Sequence, residues 1–249
     1  DADTVNVGSL APATDGDANG IGAVLTINGE GDADSLNVDD TGDTAGNTGN
    51  LTATDITGLG MTGKIVYGTV EALTIGLGSG DDTFTVASTH TGTTELNTNT
   101  GNDTVTLETI SGNTTVNTAV GSDTVNIRTI DAATTVNTGD DADTVNVGSL
   151  APATGGDVNG IGAVLTINGD GEADSLNVDD TADTAGNTGN LTATDITGLG
   201  MTGKIVYGTV ESLTIGLGSG GDTFTVESTH AGATELNTNG GGDTVTLET

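Results

Sequence analysis

Along most of the chain, apolar side chains recur at every second position in short runs bounded by Gly, Asp, Asn and Thr. Val105/Leu107 and Val125/Ile127 show the pattern, with Thr106 and Asn126 between them. A period of two turns one face of a strand toward a core and the other toward water. Thr, Val, Asn and Gly are poor helix formers, and no 3.6-residue period competes with the alternation. Asp-Thr-apolar triplets begin at Asp82, Asp103, Asp123 and Asp143, in steps of 21, 20 and 20 residues. A second strand falls between them, centred on Leu96, Val116 and Val136. Two short strands per coil of about 20 residues predict an all-β chain wound as a parallel β-solenoid, its rungs about 4.8 Å apart. The crossover rule for parallel strands makes the expected hand right.

A longer period overlies the coils. Residues 1–109 recur as 141–249 at an offset of 140, with 12 differences in 109 aligned positions. The expected organisation is therefore a first repeat unit, 1–140, and an incomplete second copy, 141–249, in one continuous solenoid. Threading the unit gives six coils, with first strands centred on Val5, Leu36, Val66, Phe84, Val105 and Val125. Second strands centre on Leu25, Thr54, Ile75, Leu96, Val116 and Val136. Two connections are swollen, 11–22 and 39–49, and both follow a first strand. Insertions are thus expected along one edge and tight turns along the other. A fragment of a longer tandem array is the expected context.

Composition sharpens the picture. The chain carries 3 Lys+Arg against 36 Asp+Glu, a formal charge of −33. Phosphate recognition needs Lys and Arg, so nucleic acid is excluded as a partner, and docking on anionic membranes is disfavoured. No apolar run reaches spanning length, so membrane insertion is not expected. The start at Asp1 shows no leader pattern and reads as a mature or internal fragment. With no Cys and no Trp, disulfides and thiolate metal sites are excluded and the core must be narrow.

The carboxylates concentrate in turns. Five of six tight turns are Gly- and Asp-rich: 29–34 (GEGDAD), 78–82 (GSGDD), 100–103 (TGND), 120–123 (VGSD) and 139–143 (GDDAD). The sixth, 58–64 (GLGMTGK), has no carboxylate. Stacked coils hold successive Asp groups about 5 Å apart, where two charges repel by about 3 kcal/mol at an effective dielectric near 20 and by under about 1 kcal/mol in water. A bridging cation relieves this, and carboxylate with carbonyl oxygen favours Ca²⁺. The candidate ligands are Asp34, Asp81, Asp82, Asp103, Asp123, Asp141 and Asp143, with Asp174, Asp222 and Asp243 from the second copy. A second candidate set lies in the insertions. Asp15, Asp17 and Asn19 have calcium-loop spacing without the bidentate Glu at Thr26, and Asp39, Asp40 and Asp43 form an acidic group. For both, a solvated Asx-rich turn is the competing reading.

Residues 78–85, GSGDDTFT, resemble the last eight positions of the RTX (hemolysin-type) nonapeptide, and 101–105 (GNDTV) and 121–125 (GSDTV) its second half. The chain also looks like the Asp/Thr/Gly-rich repeats of large secreted bacterial surface and adhesin-like proteins. The resemblance implies a parallel β-roll with Ca²⁺ between consecutive turns, held by Asp82, Asp103, Asp123, Asp222 and Asp243 with turn carbonyls. The coil here is about 20 residues against the family's 18, and the leading Gly is usually missing.

His90 and His230 read as surface turn residues, and Lys64 as a neutralising charge in the turn without Asp. Glu71 and Glu211 could join the cation network. No base and electrophile cluster points to catalysis. The expected function is an extracellular, Ca²⁺-stiffened structural rod, a stalk, matrix strand or filament, whose partners are neighbouring copies joined in tandem or head to tail. An ice-binding solenoid with Thr/Asn ladders is the alternative. A glycan-binding adhesin is disfavoured because Tyr67 and Tyr207 are the sole large amphipathic rings.

Overall fold

A computed structural model describes residues 1–248 and contains strands and turns but no helix. The first copy forms thirteen strands: β1 (Thr4–Val7), β2 (Val24–Asn28), β3 (Ser35–Asp39), β4 (Thr48–Leu51), β5 (Asp55–Gly58), β6 (Lys64–Gly68), β7 (Ala72–Gly76), β8 (Thr83–Val86), β9 (Thr93–Asn97), β10 (Thr104–Leu107), β11 (Thr114–Asn117), β12 (Thr124–Ile127) and β13 (Thr134–Asn137). The second copy adds β14 (Thr144–Val147), β15 (Val164–Asn168), β16 (Ser175–Asp179), β17 (Thr188–Leu191), β18 (Asp195–Gly198), β19 (Lys204–Gly208), β20 (Ser212–Gly216), β21 (Thr223–Val226), β22 (Ala233–Asn237) and β23 (Thr244–Leu247).

These strands build two sheets, one of 12 strands and one of 11. Sheet one runs β1-β3-β7-β9-β11-β13-β15-β19-β18-β17-β21-β23, and sheet two β2-β6-β5-β4-β8-β10-β12-β14-β16-β20-β22. Most pairs are parallel and in register, as in Val105↔Val125 and Val125↔Val145. Alternation fills the space between the sheets with aliphatic side chains: Val105, Leu107, Val116, Val125, Ile127 and Val136 are all fully buried. Thr and Asn take the outer positions, where β-branched and amide side chains suit a half-exposed pleat. The molecule is a β-solenoid.

The threading through Thr54 is corrected by the structure. Thr54 lies in a turn, where the Thr52 hydroxyl accepts the amides of Thr54 (3.3 Å) and Asp55 (3.0 Å). β4, β5 and β6 form an antiparallel meander inside sheet two, with β4 parallel to β8 and β6 parallel to β2. Its second reversal uses left-handed backbone at Gly58 (φ 83°), Leu59 (φ 54°) and Gly60 (φ 67°). The Tyr67 hydroxyl donates to Thr52 O (2.6 Å) and Lys64 Nζ pairs with Asp55 (2.6 Å), tying the meander together.

The meander has a global consequence. With β4–β6 together in sheet two, the thirteen strands of a unit make eleven visits to the sheets, whereas strands at Thr54 and Val66 in opposite sheets would make twelve. β1 lies in sheet one and its counterpart β14 in sheet two, and β2 and β15 are exchanged likewise. Equivalent strands of the two copies therefore occupy opposite sheets.

The edges also differ from expectation. Connections from sheet one to sheet two define the first edge; they include both insertions, 8–23 and 40–47, and the tight turns 77–82, 98–103, 118–123 and 138–143. Insertions and tight turns share an edge, because the 40–46 loop stacks directly on turn 78–81: Gly46 abuts Asp81 O and Gly78 abuts Asp43 O. Turn 29–34 lies on the second edge, where sheet two returns to sheet one.

Gly49 tests the meander. It pairs with Phe84 across β4 and β8, and a Cβ there would meet the Phe84 ring at 2.5 Å. Overpacking of this kind costs about 1–3 kcal/mol. Gly49→Ala is expected to lower hydrogen-exchange protection of β4–β6 by that amount and leave β10–β13 unchanged. Equal protection in β4–β6 of both proteins would contradict the packing.

Candidate metal centre

Five rungs of the first edge begin with a buried carboxylate, Asp82, Asp103, Asp123, Asp143 or Asp174, that caps its neighbour. The amide of Asp82 donates to Asp103 Oδ1 (2.7 Å), Asp103 to Asp123 (2.7 Å), Asp123 to Asp143 (2.7 Å), and Asp143 to Asp174 (2.9 Å). Asn47 N donates to Asp82 Oδ1 (2.7 Å), and Asp174 N to Glu211 Oε2 (2.9 Å), closing the run at both ends. The position just before a strand has an amide that no neighbouring carbonyl reaches, and an unmet buried donor costs about 1–3 kcal/mol. The Asp side chain meets that need and leads directly into the Thr that opens the strand.

The ladder crosses the copy junction without a break, because the sheet exchange brings Asp143 and Asp174 onto the edge that holds Asp103 and Asp123. The second edge carries shorter runs. Asp3 N donates to Asp34 Oδ1 and Asp34 N to Glu71 Oε2 (both 2.8 Å). Asn187 N donates to Asp222 (2.8 Å) and Asp222 N to Asp243 (2.9 Å). The sequence-derived ligands thus divide between two edges: Asp82, Asp103, Asp123, Asp143 and Asp174 on one, Asp34, Asp222 and Asp243 on the other.

One oxygen per carboxylate is used; the second is stranded. Oδ2 of Asp82, Asp103, Asp123, Asp143, Asp174 and Asp222 is buried with no hydrogen-bond partner among the described residues. Desolvation raises Asp82, Asp103 and Asp174 above the usual carboxylate range, Asp123 to about 7 and Asp143 to about 6, partly offset by the neighbouring Thr98 hydroxyl at Asp103, by the backbone amide each accepts, and by the Thr118 and Thr138 hydroxyls at Asp123 and Asp143. A second ladder lies beside the first: the hydroxyl of Thr98 donates to Thr118 O (3.1 Å) and that of Thr118 to Thr138 O (2.7 Å). Asp81 and Asp141 are exposed outside the ladder, and Asp81 Oδ1 accepts the Asn102 amide (2.8 Å).

The two insertion loops, which the sequence presents as separate candidates, stack on each other. Asp39 Oδ2 accepts Gly16 N (2.9 Å), Asp40 Oδ1 accepts Ala18 N (2.8 Å), and Asp43 Oδ2 accepts Asn19 Nδ2 (3.0 Å). Asp17 closes its own turn with Ser9 and with Asn19 N (3.1 Å). Asp15 is exposed with φ 65°, and the second copy has Gly155 there with φ 91°. That position requires left-handed backbone, which explains the exchange. Asp40 is buried, its Oδ2 is stranded, and burial pushes it to about 7. Sequence reasoning missed its equivalent, Asp180, also raised to about 7; the 140-residue offset was the signal that could have found it. It also missed Asn47 and Asn187, whose role rests on a backbone amide that the side-chain pattern does not reveal.

His90 and His230 are not free surface residues. Each packs edge-on against a tyrosine, Tyr67 at 5.9 Å and Tyr207 at 5.8 Å, and both ring nitrogens of His90 are buried with no hydrogen-bond partner among the described residues.

Among the described residues, no group of three or more His, Cys, Asp or Glu is placed to hold a metal ion by itself. A cation on the ladder would draw one stranded oxygen from a rung and the rest of its shell from turn carbonyls. Those of Gly80 and Gly101 lie between rungs, against Gly101 and Gly121.

Fold and ladder together define an acidic tandem-repeat β-solenoid. In comparisons with known proteins, no family model, no curated protein and no solved structure matches the chain.

The ladder sets a pH dependence of unusual sign. A carboxyl whose pKa rises on folding stabilises the fold below about 4, and that contribution is lost as pH rises to about 7. Metal-free protein is therefore expected to melt at a higher temperature at pH 5 than at pH 8. Asp123→Asn keeps the cap without the charge and should flatten the slope; Asp123→Ala strands the Asp103 amide and should destabilise by about 1–3 kcal/mol at both pH values. A melting temperature that rises from pH 5 to pH 8 would contradict the ladder's desolvation.

Proposed function

We propose that the chain is a structural rod segment that works outside the cell as a stalk, matrix strand or filament, stiffened by Ca²⁺. The observation that carries this reading is the unbroken run from Asn47 through Asp82, Asp103, Asp123, Asp143 and Asp174 to Glu211. A repeat that continues its ladder through the copy junction extends without a seam. The stranded Oδ2 atoms supply a reason for a cation, since at neutral pH several buried negative charges lie one rung apart. Hard carboxylate and carbonyl oxygens suit Ca²⁺, and weak sites fill at millimolar external concentrations. Ca²⁺ would supply only countercharge; backbone capping is the work of the chain. No catalytic role belongs to this reading.

End-to-end joining of copies is part of the same proposal. Val5 and Leu25 are 38% and 37% exposed, whereas their counterparts Val145 and Leu165, covered by β12 and β13, are 3% and 0% exposed. A coil of the β12–β13 kind is what such a face accepts.

The ice-binding alternative loses support. Across sheet one the outward rank reads Glu95, Thr115, Thr135, Thr166, Val206, so the threonine run spans three rungs. The adjoining Asn117, Asn137 and Asn168 amides bond to one another along the rank at 2.7 Å.

Circular dichroism and melting at pH 7.5, in chelator and across a Ca²⁺ series, test the proposal. Ca²⁺ should raise the melting temperature. Calorimetry should show reduced bound Ca²⁺ in Asp103→Ala and Asp123→Ala and little change in Asp15→Ala. Identical melts with chelator and with millimolar Ca²⁺ would remove the cation from the account.

A further inference from the structure

Both copies carry the same groove. In the first copy the 8–16 arm, with the Ala11-Pro12-Ala13 stretch, overhangs the outer face of sheet one and encloses about 360 Å³. In the second copy the same residues, each shifted by 140, enclose about 420 Å³ against sheet two. The sheet exchange places the two grooves on opposite faces of the solenoid.

One wall is made of side-chain amides and hydroxyls at rung spacing. Asn6, Asn37 and Thr74 are neighbours in register on β1, β3 and β7, and Asn97 follows on β9 beside Gly76. Four rungs span about 14 Å. Asn37 gives its nitrogen to Asn6 Oδ1 (2.9 Å), leaving its oxygen and the Thr74 hydroxyl without partners among the described residues. The opposite wall offers the methyl groups and ring of Ala11 and Pro12. Gly76 keeps the floor open; a Cβ there would press on the Thr41 methyl at 2.8 Å. The one charged lining group is spent: Asp39 accepts Gly16 N (2.9 Å) through Oδ2, and Thr41 N (3.2 Å) and Oγ1 (2.6 Å) through Oδ1.

We propose that these grooves bind a short neutral oligosaccharide, with the amide and hydroxyl wall taking sugar hydroxyls and the Ala-Pro wall covering the C–H face of a ring. The volume lies within the range of small-ligand sites, and the length suits a few linked sugar rings. No Lys or Arg lines either groove, and the net charge of −33 repels acidic sugars and phosphates. A proline ring takes the place that an aromatic platform has in other sugar sites, so the scarcity of aromatic residues does not exclude this ligand class.

Arg128 braces the second arm. Arg128 Nε donates to Ala151 O (3.1 Å), and its Nη1 pairs with Glu108 (2.6 Å), so the second arm is braced from the rung below and Ala151 is 4% exposed. Ala11 is exposed. Bracing of this kind lowers the ordering cost of binding.

Saturation-transfer NMR and calorimetry with maltotriose, cellotriose and chitotriose test the assignment, with trigalacturonate as the anionic control, in chelator and in millimolar Ca²⁺. At least one neutral trisaccharide should bind at two sites per chain under both conditions, and trigalacturonate at none. The quadruple variant N37A/T74V/N177A/T214V should lose at least tenfold in affinity with a circular dichroism spectrum like that of the parent. Arg128→Ala should weaken one of the two sites and spare the other. No binding by all three neutral trisaccharides at millimolar concentration, or binding untouched by both variants, would overturn the proposal. So would a preference for trigalacturonate.

Discussion

Everything in this solenoid depends on how a rung begins. A strand that starts at a turn leaves its first amide beyond the reach of the ladder of backbone bonds, and here the rung above supplies a carboxylate oxygen to it. Asp103 caps Asp82, Asp123 caps Asp103, and Asp143 caps Asp123, each at 2.7 Å. The solution has a cost built in. An aspartate has two oxygens, the amide takes one, and the other is sealed in the turn. The sequence then follows from the constraint. Asp stands where the cap is needed, Thr opens the strand, and Gly at 101 and 121 lets adjacent turns stack against each other's carbonyls. Acidity and architecture are one requirement in this chain.

A second constraint is parity. Had β4, β5 and β6 been one strand, a unit would visit the sheets in the same way but hold two fewer strands. The meander adds its extra pair to sheet two in the first copy and, as β17–β19, to sheet one in the second. The surplus of one copy is thus answered by that of the next. Features of the unit, the overhanging arm among them, appear alternately on the two faces.

Much of this was legible in the sequence. Period-two alternation at Val105/Leu107, Val125/Ile127 and Val116 located strands that the structure confirms, and the Asp-Thr-apolar triplets marked where rungs start. The exchange of sheets was not legible, because alternation gives a strand's inward face without saying which sheet it joins. Threading Thr54 and Val66 as strands of opposite sheets counts two visits in 48–68, where the chain makes one, because β4 and β5 contain Gly and Asp and pair antiparallel within a single sheet. Their reversals rest on the Thr52 hydroxyl and on left-handed Gly58, Leu59 and Gly60, local chemistry that a coil-length rule overlooks. The misplacement of turn 29–34 followed from the same step. The carboxylates were found by type and spacing, but their first duty was not: a pattern of side chains is silent about which backbone amide lacks a partner.

The central claim is that the ladder carboxylates are buried, hold a backbone amide with one oxygen and carry an unmet charge on the other. A ¹³C NMR titration of the aspartate carboxyl carbons in metal-free protein measures this group by group. The account predicts that Asp123 and Asp143 titrate near 7 and 6, well above the ordinary 3.8, and that added Ca²⁺ moves both midpoints down. Midpoints near 3.8 that do not respond to Ca²⁺ would show these carboxylates to be solvated, and would contradict it.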